Sequence, residues 1–167
     1  MRVIDFMHTK VFTVEEDDLI DRVFFLLHYE KIRHLPVVNR RGEVIGIVSD
    51  RDLYKSLGPK ENSNLIEGRG DHTALHVVSH KVRHIMHRHV LTIGPNDKLS
   101  EAAAIMAKHR VGALPVVKSN KLVGIITSTD LLRILSKMDA ALEQGDFQWA
   151  KEQESDVSPE GQQVAEG

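Results

Sequence analysis

Gly46-Ile47-Val48-Ser49-Asp50-Arg51-Asp52 returns further along the chain as Gly124-Ile125-Ile126-Thr127-Ser128-Thr129-Asp130. Each copy runs from a glycine through a short apolar stretch to a hydroxyl, with a carboxylate three residues later. An apolar helical pattern follows each carboxylate. The apolar stretch reads as a buried strand and the hydroxyl as the start of a helix. A duplicated strand-to-helix junction implies two similar units and two similar sites.

The duplication extends outward from these junctions. At a spacing of 79 residues Val3 matches Val82, Met7 matches Met86, His8 matches His87 and Thr13 matches Thr92. Leu35-Pro36-Val37-Val38 matches Leu114-Pro115-Val116-Val117 at the same spacing. The offset then drops to 78, because Asn39 to Glu43 is one residue longer than the turn Lys118 to Lys121. Hairpin loops are where a duplicated unit varies at least cost. Each unit is about 55 residues, a size that buries only about 60% of its unfolded surface and is marginal alone. The two copies are therefore expected to share one core.

Within each copy the element order is the same. Val11 to Val14 is an apolar entry segment, and Glu15 to Asp18 is acidic. Ile20, Phe24 and Leu27 then share one helical face, with Asp17 or Asp18 as its cap. Leu35 to Val38 and Val44 to Val48 read as a hairpin. In the second copy Asn96 or Asp97 is the expected cap for a helix facing inward through Leu99, Ala103 and Met106. Its hairpin is Leu114 to Val117 with Leu122 to Ile126, and its last helix starts near Thr127. The expected organisation is a first unit over 1–57, a linker over 58–80 and a second unit over 81–138. A helical extension and a polar, disordered tail fill 139–167. Trp149 is expected to be partly exposed at a helix end.

The chain carries a net charge of −2 and no cysteine. Nucleic-acid binding through bulk charge and a polybasic membrane role are disfavoured. Disulfide and thiol chemistry are excluded, which fits a cytoplasmic protein. There is no apolar run of membrane-spanning length, and Met1 to Lys10 is too polar for a signal peptide. A P-loop, a dinucleotide-binding glycine pattern and an acid–base dyad are all lacking, so an enzyme is not expected.

Two readings of the Ser-x-x-Asp and Thr-x-x-Asp junctions stand side by side. The spacing is that of a capping box, in which both side chains only satisfy the helix's own amides. It also suits ligand binding: a carboxylate accepts hydrogen bonds from vicinal sugar hydroxyls, and a helix N-terminus favours phosphate.

Leu-Pro-Val-Val followed by Gly-Ile-Val-Ser-x-x-Asp, twice at matched spacing, resembles the CBS domain, and the chain resembles a tandem CBS pair without a catalytic domain. The resemblance covers about Val3 to Leu57 and Val82 to Leu135. It implies an α/β fold of the α+β type, with two small sheets, each carrying two helices, packed as a pseudo-symmetric pair. It also implies clefts at the pair interface, dimerisation, and binding of an adenosine-containing ligand (AMP, ADP, ATP or S-adenosylmethionine), with no cofactor. By the same resemblance Asp52 and Asp130 are the ribose acids, in separate clefts, with Ser49 and Thr127 as hydroxyl partners. Residues just before Leu-Pro line the clefts. Arg33, His34 and Arg51 are thereby phosphate candidates, while Gly112 and Ala113 leave room for a flat base. Thr13 and Thr92 are candidate lining residues opposite the partner copy's Asp. The Asp52 junction has the more basic surround, which suits a charged nucleotide.

The implied function is that of a regulatory sensor read by an enzyme or transporter. A structural dimerisation module with degenerate sites is the alternative. A His-rich metal regulator is a third reading, since six of the ten histidines lie between positions 72 and 89. His72, His76, His80 and His84 fall four apart, a spacing that binds metal on a continuous helix. Gly70 and the Val77-Val78 pair work against such a helix, and no metal site is assigned; His76, His80 and His84 are its nearest candidates.

Overall fold

The computed structural model describes residues 1–56 and 80–143. The linker from 58 to 79, His72, His76, Trp149 and the tail lie outside the described residues. The chain divides into two compact units, Met1–Ser128 and Thr129–Gly167.

The first unit holds both hairpins. Helix α1 (Ile20–Tyr29) leads to strands β1 (His34–Val38) and β2 (Val44–Ser49). Helix α2 follows over residues 50–56. After the linker, α3 (Leu99–His109) leads to β3 (Ala113–Lys118) and β4 (Lys121–Thr127). Helix α4 (Ser128–Glu143) starts at the last residue of the first unit and, from Thr129 on, makes up the described part of the second. Among the described residues no helix is long and apolar enough to cross a membrane.

Each hairpin is antiparallel, with matched registers: Leu35 faces Val48 and Leu114 faces Ile126. Both ladders slip by one residue near the turn, between Val37 and Val38 and between Val116 and Val117. The short turn places Ser119 and Asn120 at φ 49° and 66°, the left-handed pair that a two-residue hairpin loop requires. The longer turn is closed by Asn39, whose side-chain oxygen accepts the Arg41 and Glu43 amides. The two turns also meet: the Asn120 amide donates to Glu43, and Leu122 N–H donates to the Gly42 carbonyl.

The copies complete one another. The segment entering the second copy, Lys81 to His87, packs on the first hairpin: Ile47 and His87 exchange backbone hydrogen bonds of 3.0 and 2.9 Å. The N-terminal segment does the same for the second hairpin, with His8 and Ile125 paired at 2.9 Å in both directions. Val82 and Met86 accordingly belong to the same buried cluster as Val23, Leu35 and Val48. Val3 is fully buried and its amide donates to the Asp97 carbonyl. Burying a side chain of this size contributes roughly 1.5–3 kcal/mol, so each copy depends on the other's first residues.

This exchange also explains the helix starts. Leu19 and Lys98 are the N-caps of α1 and α3, and neither makes a side-chain capping bond. The first helical amides are instead met by backbone from the other copy: Ile20 N–H donates to His80 O, and Leu99 N–H to Met1 O. The expected caps have other partners. Asp18 accepts the Glu15 amide, and Asp97 accepts the Gly94 amide. The inward face of α3 is Leu99, Ala102 and Met106, matching Ile20, Val23 and Leu27 of α1. Ala103 is exposed and Phe24 only half-buried, because the apolar stripe follows the i, i+3, i+7 positions.

The exchanged segments dictate the glycines of the repeated motif. A Cβ on Gly46 would lie 2.7 Å from Met86 Sδ, and one on Gly124 would lie 2.6 Å from Met7 Sδ and 3.0 Å from the His8 carbonyl oxygen. A thioether at the end of a flexible side chain yields more readily than a paired backbone. Gly124→Ala is therefore expected to destabilise by about 1–3 kcal/mol, and Gly46→Ala by less. Urea denaturation of the two variants beside the parent protein checks both magnitude and order.

Candidate functional site

Asp52 stands at the first turn of α2, where β2 ends. It is 9% exposed, one of two buried charged side chains among the described residues, with Asp130 at 7%. Strand β2 is buried through Val48, and helix α2 turns inward at Leu53, so the carboxylate is drawn below the surface between them.

Its two oxygens have different partners. Oδ2 accepts the Ser49 amide at 2.9 Å and the Ser49 hydroxyl at 2.6 Å. Asp52 N–H lies 3.4 Å from Ser49 Oγ, which closes a reciprocal capping box. Oδ1 faces His87 Nε2 at 2.9 Å. Burial pushes the Asp52 carboxyl up, but hydrogen bonds from the Ser49 hydroxyl, His87 and the Ser49 amide outweigh it and hold the group below its ordinary range. A carboxylate so held accepts, so His87 Nε2–H is the donor.

The capping and binding readings of the motif thus divide between the oxygens. Oδ2 is committed to the capping box. Oδ1 is the atom that points away from the helix's own needs.

The residues ahead of Leu35 sit beside this junction. Arg33 Nε pairs with Asp50 Oδ2 at 3.0 Å, and its side chain is 73% exposed. Its charge is therefore already balanced in part. The His34 ring packs against the second copy: a Cβ on Gly112 would lie 3.0 Å from His34 Cε1 and 3.1 Å from Nε2. The space left by the missing Gly112 side chain is taken by this imidazole. Burial lowers the His34 pKa, a shift that Asp50 and Asp52 oppose and Arg33 reinforces. Ala113 is buried at the start of β3, and Gly112 accepts the Ser128 amide at 2.9 Å. Arg51 is exposed, and its side chain makes no ion pair among the described residues. Thr13 is half-buried and Thr92 exposed.

The second motif spans the boundary between the compact units. Thr127 ends β4 in the first unit, and Asp130 lies in the first turn of α4. Within α4, Arg133 Nη1 lies 3.6 Å from Asp130 Oδ1. Of the histidine run, His80 and His84 meet edge to face with ring centroids 5.8 Å apart. Among the described residues no group of three or more His, Asp or Glu is placed to hold a metal ion.

Sequence reasoning missed His87 as a site residue. The match of His8 with His87 across the repeat was visible, but neither histidine carries a motif that points to Asp52.

Comparison with known proteins identifies the family. The CBS domain model matches residues 3–58 and 82–137, and the chain belongs to the CBS domain family as a tandem pair. A CBS domain-containing protein of Dictyostelium discoideum is 34% identical over 137 residues, spanning 79% of this chain and 89% of that protein. The homoserine O-acetyltransferase of Methanococcoides burtonii is 36% identical over 134 residues, which make up 80% of this chain but 24% of the enzyme. An uncharacterized protein of Methanocaldococcus jannaschii is similarly matched over 48% of its length. The chain therefore spans about a quarter to a half of several relatives. Among solved structures, CBSX2 in complex with AMP superimposes with a TM-score of 0.66 at 27% identity, covering 83% of this chain and 98% of that one. The CBS domain pair of MJ0100, in complex with 5′-methylthioadenosine and S-adenosyl-L-methionine, gives 0.65 at 25% identity, covering 81% and 99%.

The pKa directions make a pH prediction. A histidine whose folded pKa lies below its unfolded value leaves the unfolded chain binding more protons, so stability falls as pH drops below about 6.5. The His34→Gln variant is expected to lose less stability between pH 7 and pH 5 than the parent. Asp52, also lowered, contributes stability that is present above about pH 4 and is lost as pH falls through its folded value. Asp52→Asn should flatten that acid limb. Denaturant midpoints measured from pH 3 to pH 8 test both.

Proposed function

We propose that this chain is a regulatory module that binds an adenosine-containing ligand at the Asp52 junction, with Asp130 the corresponding acid of the second motif. The observation that carries the reading is Asp52 itself: a buried, ionised carboxylate with one oxygen locked by Ser49 and the other turned to a displaceable partner. A ribose diol needs such an acceptor. The exposed Arg51 guanidinium, which makes no ion pair among the described residues, suits a phosphate nearby. His34 on Gly112, with Arg33 beside it, forms the wall between the copies. Ser49 and Thr127 serve as hydroxyl partners, and Thr13, Thr92 and Ala113 as lining. The AMP and S-adenosylmethionine complexes of similar CBS pairs support the ligand class.

The module acts without catalysis. Ligand binding shifts the packing of the two copies, and an enzyme or transporter reads the change; this requires different affinity for two states of the module. It works as a cytoplasmic homodimer.

The capping box favours a second reading, in which Asp52 serves only the helix and the protein is a structural dimerisation module. Isothermal titration with AMP, ADP, ATP and S-adenosylmethionine separates the two. At least one ligand is expected to bind, and Asp52→Ala is expected to weaken it at least tenfold, the scale of a lost hydrogen bond to a charged group. Heat-free titrations with all four ligands, or binding indifferent to both Asp52→Ala and Asp130→Ala, would favour the structural module.

A further inference from the structure

The Asp52 site already holds a side chain of this protein. His87 Nε2 donates to Asp52 Oδ1 at 2.9 Å, across 35 residues of sequence and from the other copy of the repeat. The donor count on Asp52 matters here. A carboxylate offers about four lone-pair positions, two on each oxygen. The Ser49 amide and hydroxyl fill both on Oδ2. Oδ1 has two, and His87 takes one of them. A vicinal diol brings two donors, and a single remaining lone pair receives only one.

His87 is also built to leave. Its backbone is pinned by both hydrogen bonds with Ile47, so the segment stays in place when the ring moves. Its side chain is 66% exposed, and the bond to Asp52 is its one hydrogen bond among the described residues. With most of the ring already in solvent, rotation away from Asp52 gives up little besides that hydrogen bond.

We propose that His87 is a built-in competitor for Asp52, which a ribose must displace, and that it thereby sets the affinity of the site. The proposal rests on the ligand reading above and adds an affinity-determining residue to it. In the empty protein His87 keeps the buried carboxylate satisfied. On binding, its hydrogen bond is exchanged for those of the sugar hydroxyls. The free energy of the broken pair is subtracted from every ribose ligand alike. The site is in this way tuned to respond at higher ligand concentrations than Asp52 alone would permit.

The test is titration of AMP into the parent protein, His87→Ala, His87→Gln and Asp52→Ala, with melting curves to confirm that each is folded. His87→Ala is expected to bind AMP more tightly than the parent by about tenfold or more, the worth of one hydrogen bond to a charged group. His87→Gln retains a donor of similar reach and is expected to bind within about threefold of the parent. Asp52→Ala is expected to lose binding. AMP affinity that is unchanged or weaker in His87→Ala, while Asp52→Ala still abolishes binding, overturns the competitor role and leaves the ligand reading standing. Absence of AMP binding in all four proteins overturns both. A ligand-free readout accompanies the titration: the Asp52 carboxyl, followed by carbon NMR, should titrate at higher pH in His87→Ala. An unmoved titration counts against the pair.

Discussion

The backbone bonds between His87 and Ile47, mirrored by those between His8 and Ile125, govern what each copy of the repeat is able to be. A unit of about 55 residues is too small to enclose a core of its own. Each copy meets that limit by borrowing the other's first residues. Met86 lies over Gly46 and Met7 over Gly124, so a side chain from one copy fills the place that the other leaves empty. The helix starts are closed the same way, by the carbonyls of His80 and Met1 rather than by side-chain caps. Duplication is then a requirement of stability, since neither copy keeps its buried surface covered without its twin.

The same exchange brings chemistry together. Asp52 belongs to the first copy and His87 to the second, and they meet because the entry segment crosses over. His34 and Gly112 likewise come from different copies and touch. A site assembled from both copies is sensitive to how the copies pack, which is what a sensing module needs if a ligand is to change its state. Asp52 remains charged in this setting because three hydrogen bonds outweigh the cost of burial. That cost is also why an acceptor of this kind holds a donor at all times, whether from the protein or from a ligand.

Much of the architecture was legible in the chain because its signals are local. Short β-rich apolar runs on either side of a turn mark the hairpins at His34–Val38 with Val44–Ser49 and at Ala113–Lys118 with Lys121–Thr127. The Ser49–Asp52 capping box follows from a three-residue spacing. What escaped was non-local. Asp18 and Asp97 stand where helix caps are usual, yet backbone from the other copy competes successfully for the same amides. Ala103 and Ala102 are equivalent by composition, and only packing against β3 and its neighbours decides which is buried. His87 carries no motif that points to Asp52. The matched pairs Met7/Met86 and His8/His87 were visible and a shared core was expected, but nothing local says that the entry segment of one copy pairs with the second strand of the other.

The central claim is that Asp52 Oδ1 is the atom on which a ribose is read, with His87 holding its place in the empty protein. A crystal structure of the AMP complex tests it most directly. The account predicts ribose hydroxyls within hydrogen-bonding distance of Asp52 Oδ1, the Ser49 bonds to Oδ2 intact, and the His87 ring turned away. AMP bound elsewhere, with the His87–Asp52 pair unbroken, would contradict it.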